Sequence, residues 1–389
     1  MGLHPTPACR NWPWRQNTFF LVWPAPHAAT PLMPSPHDLP LEIEWSPDAQ
    51  TSLELPGDLF LPSGPANYVG AVMCLRLTLY FKGAHLASTR ENLCLCFDAF
   101  RELAGDALQW LWREIPKDGP PRQRVKDSKN LREMIEPLSE DDHLSFCYTS
   151  GANAEDAGAW QFLVYGKRGW QTRMGDDMSV LELSVPTGHF SGEKCQFIEL
   201  AIKCAHWLRA AHGHAGYALN LSPVRRERNE PIEAVLAQRL PGLDAGNAAL
   251  LANRAELKHL KFKTVSWLTL LDDARLAAAG GFDRLRSALP EQYFRFQGYG
   301  SGVLIQAGAR PLACVDAEDP RPPEYVLLDH QLRGLRPASV GNLHFNPKSA
   351  EPRLIGRLAD QWMRRFEVDA SEIPIHEARL ARQHPRTYE

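Results

Sequence analysis

The longest apolar run of the chain, Tyr68 to Phe81, narrows most sharply what it can fold into. It is shorter than the roughly 18 apolar residues that a membrane-spanning helix needs, and Arg76 interrupts it. Its second half alternates, with Leu75, Leu77, Leu79 and Phe81 on one side and Arg76, Thr78 and Tyr80 on the other. That period of two is the signature of a strand, expected over Val69 to Phe81. The rest of the chain must supply its neighbours.

After the strand, Ser88-Thr89-Arg90-Glu91 fits the S-x-x-E pattern that opens a helix. Leu93, Phe97, Phe100, Leu103, Leu108 and Leu111 then recur at helical spacing until Pro116. Asp118 to Lys129 is a Pro-rich, basic connector. Four short runs suit an antiparallel meander: His143 to Thr149, Trp160 to Tyr165, Trp170 to Arg173 and Met178 to Val185. Connectors rich in Gly, Asn and Asp separate them. Ser191 to Ala211 predicts a second long helix stopped by Gly213, then a strand over Gly216 to Leu221 and a helix over Ile232 to Leu240. Short helices over Asp272 to Ala279 and Phe282 to Leu289 lead into strands at Tyr293 to Phe296 and Gly302 to Ala307. Helical patterns over Tyr325 to Leu332 and Leu354 to Phe366 close the chain. This mixed order predicts an α+β fold, mainly antiparallel sheet layers packed with two long helices and several short ones, and not a doubly wound nucleotide-binding fold.

Composition sets outer limits. A hydrophobic share of 44% with a net charge of -3 excludes disorder as the main state. The same charge argues against a dedicated nucleic-acid binder, which is normally basic. The eight cysteines form no C-x-x-C pair, and most lie in apolar runs such as Leu93-Cys94-Leu95-Cys96-Phe97. They read as small hydrophobes in a reduced, cytoplasmic protein and not as a disulfide framework. Residues 1–40 are rich in Pro and Trp without an amphipathic period. They are expected to be a loosely packed extension, in which the first 32 residues precede the native fold. Residues 41–368 are expected to form the α+β domain, divisible into lobes at 41–188 and 189–368, with 369–389 a polar tail.

Catalytic patterns are not found. Gly298-Tyr299-Gly300-Ser301-Gly302 lacks the nucleophile-elbow spacing and precedes a strand, so a hairpin is expected there. His206 and His212 are six residues apart and do not share a helix face, and His212 and His214 flank a glycine as a helix C-cap would. No metal or cofactor site is expected. Asp272-Asp273 reads as a helix start. The notable charge feature runs from Glu136 to Glu182, with nine acidic and three basic residues. In a four-strand meander the loop of Glu155 and Asp156 and that of Asp176 and Asp177 would be neighbours at one sheet end, with Glu140, Asp141 and Asp142 at the other. These seven carboxylates are the expected partner-binding residues, able to steer a basic partner electrostatically.

Several segments carry a resemblance. They are His212-Gly213-His214-Ala215-Gly216, Pro241-Gly242-Leu243-Asp244, Val265-Ser266-Trp267-Leu268-Thr269-Leu270-Leu271, Gly298 to Pro311, and Trp362 with Arg365-Phe366. In this order, from about Leu75 to Phe366, the chain resembles the type VI secretion immunity family, encoded beside toxins of restriction-endonuclease-like fold that include the VRR-Nuc group. The resemblance implies a cytoplasmic, non-enzymatic antitoxin that binds a cognate nuclease toxin and blocks its active or DNA-binding site, with no direct contact to nucleic acid or membrane; self-association is left open. It assigns no interface residue. Leu312 to Asp316 departs from the more polar family pattern. Two other readings stand beside it: a hydrolase of unrecognised class using the His206–His214 neighbourhood, and a structural component of the secretion apparatus.

Overall fold

The computed structural model describes residues 53–190, 195–254, 260–315, 318–345 and 351–382. The N-terminal extension expected over residues 1–40 lies outside them. The strands are β1 (Glu54–Gly57), β2 (Ala66–Lys82), β3 (Trp110–Arg113), β4 (Arg122–Arg124), β5 (Leu144–Thr149) and β6 (Gln161–Gly166). They continue with β7 (Met178–Val185), β8 (His212–Leu221), β9 (Leu268–Asp272), β10 (Phe294–Gly298) and β11 (Gly302–Ala307). All eleven join one sheet in the order β10-β11-β9-β8-β2-β7-β6-β5-β3-β4, with β1 against β2. Each pairing between these strands is antiparallel. The α+β class with mainly antiparallel sheet is therefore the fold observed.

β2 is the spine. It meets β7 along one edge and β8 along the other, so the sheet crosses the 188/189 boundary without a break. The alternation read from Leu75 to Phe81 is real, but its meaning changes. Gly70 to Phe81 are all buried, so the alternation separates two covered faces and not core from solvent. The Leu77 face continues through Leu183 to Phe162, onto which helix α1 (Ala87–Ala104) lays Phe97, ring centroids 5.0 Å apart. On the opposite face Tyr80, Met178 and Val180 cluster with Ala248 and Ala252.

Several boundaries differ from the sequence reading. The Ser88–Glu91 capping box does not form: the helix starts at Ala87 after Leu86, and Glu91 pairs with Arg132. α1 ends at Gly105, whose φ of 55° suits glycine, so Leu108 and Leu111 are buried beyond the helix and Leu111 lies in β3. A helical repeat of leucines can run on by chance into a strand; the glycine was the stronger signal. α2 (Leu131–Ile135) carries an Asn130–Glu133 capping box instead. Trp170 to Arg173 is not a strand but part of the helix α3 (Gly169–Arg173), held by Gln171 Oε1 accepting from the Arg168 N–H at 3.0 Å. Four residues are too few to tell a period of 2 from one of 3.6.

The second long helix, α4 (Gln196–Leu208), ends at Arg209 in the left-handed region, not at Gly213. Gly213 lies inside β8, which begins at His212 and not at Gly216. There a Cβ on Gly213 would stand 2.6 Å from the Thr78 carbonyl oxygen. α5 (Arg226–Arg239) starts six residues earlier than expected and contains Pro231. α6 follows at Ala248–Ala252. The expected hairpin does form: Tyr299-Gly300-Ser301 joins β10 to β11 with Gly300 at φ 91°. Asp272 caps the helix Asp273–Ala278, as its position suggested. The segment set apart as a polar tail contains a helix, Ile373–Arg382, whose Arg379 pairs with Asp319 at 2.7 Å.

Candidate functional site

Because Trp170 to Arg173 is helical, the meander has three strands and not four. The loop after β5, with Glu155 and Asp156, and the connector after β6, with Asp176 and Asp177, therefore lie at opposite ends of the sheet. This corrects the two-loop acidic edge. Glu140, Asp141 and Asp142 precede β5 and so stand with Asp176 and Asp177. The Glu140 carbonyl accepts from the Gly169 N–H at 2.9 Å, and Asp141 Oδ1 accepts from the Trp170 N–H at 2.8 Å.

All seven carboxylates have partners within the chain. Arg173 faces Glu140 at 3.8 Å and Asp141 at 3.3 Å. Asp142 accepts from the Ser139 N–H at 2.6 Å and meets Lys117 at 3.3 Å; the Ser139 bonds, ahead of Lys117, hold it below the usual carboxylate range. Glu155 pairs with Arg225 at 3.0 Å. Asp176 takes the buried Lys167 at 2.6 Å, and Asp177 takes Lys82 at 2.7 Å. Asp156 is only 4% exposed; it accepts from the N–H groups of Val69 and Asn153 at 3.0 and 2.8 Å. The acidic surplus in the sequence is thus largely matched in space by Lys82, Lys117, Arg173 and Arg225, drawn partly from distant segments. Beside the larger group stand two exposed apolar side chains, Trp170 and Met174.

A second cluster lies on the Tyr80 face of the sheet. Glu182, Thr78, His214 and Thr269 form one cross-strand row through β7, β2, β8 and β9. Over this row sits Asp244, from the segment that follows α5. It receives Arg76 at 2.8 Å, Lys263 at 2.5 Å and His214 at 3.1 Å. Arg76 also faces Glu182 at 3.7 Å. None of these charged side chains is more than 4% exposed. Burial alone would raise the Asp244 pKa, but Lys263, His214 and Arg76 together hold it well below the carboxylate range. Behind it Glu233 accepts from the Gly246 N–H at 2.8 Å and bonds His344 at the same distance. Burial opposes its charge, but His344, Arg226 and Arg76 bring it to about 2.

This cluster ties β2, β7 and β8 to the segment around Asp244, and its charges are paired with one another. The sequence reading missed it, although one signal was present: Arg76 stood as a lone charge inside the longest apolar run. The histidines do not gather as a hydrolase site would require. His206 projects from α4 to the Tyr299 carbonyl at 2.9 Å, while His212 and His214 lie on β8. His212 stacks on Tyr80 with ring centroids 4.3 Å apart, and burial lowers its pKa well below the usual range. The helix C-cap role expected for His212 and His214 is therefore replaced by a role in the sheet. Among the described residues no group of three His, Cys, Asp or Glu could hold a metal ion.

The chain matches a protein-family model described as type VI immunity for VRR-NUC over residues 92–366. It is also similar to a solved structure, the Pseudomonas aeruginosa T6SS protein PA0821. The two are 51% identical, with a TM-score of 0.84, and the match covers 88% of this chain and 95% of that one. No curated protein matches the chain.

Proposed function

The chain belongs to the type VI immunity family for VRR-Nuc effectors, and on that premise we propose that it binds the nuclease domain of a cognate effector and neutralises it by covering the active or DNA-binding surface. The observation that carries this reading is the family match through residues 92–366, which takes in β3 to β11 and so most of the sheet. The inhibitor acts stoichiometrically and makes or breaks no bond. In support, its concentrated charged groups, Arg76, Asp244, Lys263 and His214, are spent on one another inside the fold. It works in the cytoplasm, where such a nuclease would meet DNA. No described helix is long and apolar enough to cross a membrane.

The test is co-expression with the VRR-Nuc effector. The expected result is restored growth, DNA left intact, and a complex of fixed stoichiometry on a sizing column. Killing that proceeds equally with and without this chain would remove the proposal. Protection without any complex would point instead to turnover and would also remove it.

A further inference from the structure

If the acidic residues are matched, the unmatched charge of this surface must be sought elsewhere. It lies where α1 ends and the connector through β4 crosses. There an open groove of about 820 Å³ runs beside the edge strand β4. Arg101, Arg124, Lys126 and Lys129 line it, with Asp106 and Asp127. Lys129 is held by Asp118 at 2.6 Å. Arg101, Arg124 and Lys126 have no carboxylate partner among the described residues; the Arg124 guanidinium lies 3.9 Å from the Trp110 ring centroid.

The floor supplies an independent observation. Tyr148, on β5, lines the groove and is 1% exposed, packed 4.4 Å from the ring centroid of Phe97. Its hydroxyl has no hydrogen-bond partner within the protein. A buried hydroxyl left unsatisfied is costly, and a ligand that accepts from it recovers that loss. A tyrosine hydroxyl is protonated at neutral pH, and burial raises its pKa further, so it remains a donor. A donor on an apolar floor below unpaired cations suits a carboxylate carried on a peptide. A duplex backbone would want a continuous basic track, and Asp106 and Asp127 interrupt this one.

We infer that the groove between the C-terminal end of α1 and the β4 edge is a docking site for an acidic, extended segment of the nuclease partner, whose carboxylate reaches Tyr148 while Arg101 and Lys126 hold its flanks. The partner's identity rests on the immunity reading; the preference for acidic peptide does not. Two measurements on the full chain separate them. The first is the affinity for the effector's nuclease domain. The second is anisotropy with a fluorescent glutamate-rich peptide and with a single-stranded DNA oligonucleotide.

The double variant Arg101→Glu with Lys126→Glu should weaken nuclease binding at least tenfold, with its melting temperature unchanged. Tyr148→Phe, which keeps the ring, should weaken it about three- to tenfold, the effect of one lost hydrogen bond. Arg286→Glu, an exposed charge on the helix Phe282–Ser287, serves as the comparison. If the wild type binds the nuclease and the double variant binds equally well, the groove is refuted while the immunity function stands. If the wild type does not bind the nuclease, the proposed function falls. The groove is then judged by the peptide alone: binding lost in the double variant supports it, and no binding refutes it. Tighter binding of the oligonucleotide than of the peptide, lost in the same variant, overturns the assignment in favour of nucleic acid.

Discussion

Replacing Asp244 by asparagine should lower folding stability by about 3–5 kcal/mol at neutral pH, read from urea unfolding. The substitution preserves the side chain's shape and removes its charge. Lys263, with Nζ 2.5 Å from Oδ1, then has no counter-charge at contact distance and is 1% exposed. Arg76 keeps Glu182, at 3.7 Å, as its counter-charge and the Leu219 carbonyl, at 3.1 Å, as an acceptor. Leaving a charge buried and unpaired is the expensive outcome, because its hydration was surrendered on folding. A second substitution distinguishes this cause from a general loss of fit. Lys263→Met in the Asp244→Asn background should recover part of the loss, giving a coupling between the two sites in a double-mutant cycle. A loss below about 1 kcal/mol for Asp244→Asn would show that water or rearrangement serves the cluster, and that Lys263 is not left as an unpaired buried charge.

The same cluster sets how stability responds to pH. His212 and His214 are buried, and burial lowers both below their ordinary 6.5, more strongly for His212, which lacks the carboxylate that His214 has in Asp244. A group with a depressed folded pKa contributes stability that is present above its unfolded value and lost as pH falls. The unfolded chain begins to take up these protons near 6.5 while the folded chain does not. Stability should therefore decline first as pH drops below about 6.5. Asp244, depressed well below 3.8, adds a second decline below about 4, where the unfolded chain takes up its proton while the folded chain stays ionised, and the loss is complete only as the pH falls through the folded pKa. In Asp244→Asn the second decline should shrink. The first should persist for His212, which does not touch Asp244.

Why the strands were easier to read than the site follows from these residues. β2 announced itself because covering both faces required apolar residues on one and a few large or chargeable ones on the other. That asymmetry is local and survives in sequence. The partners of Arg76 are not local: Asp244 lies 168 residues away, and only the sheet order brings β7, β8 and that segment together. The acidic stretch misled for a related reason. Its charges are contiguous in sequence, whereas the cations that match Glu155 and Asp177 come from Arg225 and Lys82. One misread element then moved the rest, since counting Trp170 to Arg173 as a strand placed the two loops together. The basic connector before α2 was legible as a run of charge. The groove beneath it was not, because Tyr148 and Phe97 come from β5 and α1.

Asp156→Ala gives the sharpest separation of the two roles open to these acidic residues. With Asp156 4% exposed, its carboxylate accepts from the Val69 N–H at 3.0 Å, the Asn153 N–H at 2.8 Å and the Asn153 Nδ2 at 3.0 Å. The Ala157 N–H returns a bond to the Val69 carbonyl at 2.8 Å, so the loop after β5 is fastened to the start of the central strand. Gly151 and Gly158 let the loop fold back on itself; a Cβ on Gly158 would meet the Gly151 nitrogen at 2.6 Å. Removing the carboxylate strands two backbone donors in a crowded place. Since bonds to an ionised acceptor are the stronger kind, the expected loss is about 2–4 kcal/mol. Amide exchange should quicken through residues 150–159 and at Val69. A residue that instead met the partner would show the opposite pattern: unfolding unchanged, and affinity for the nuclease reduced. That pattern in Asp156→Ala would return this carboxylate to the interface and refute its assignment as the clasp that holds the loop to β2.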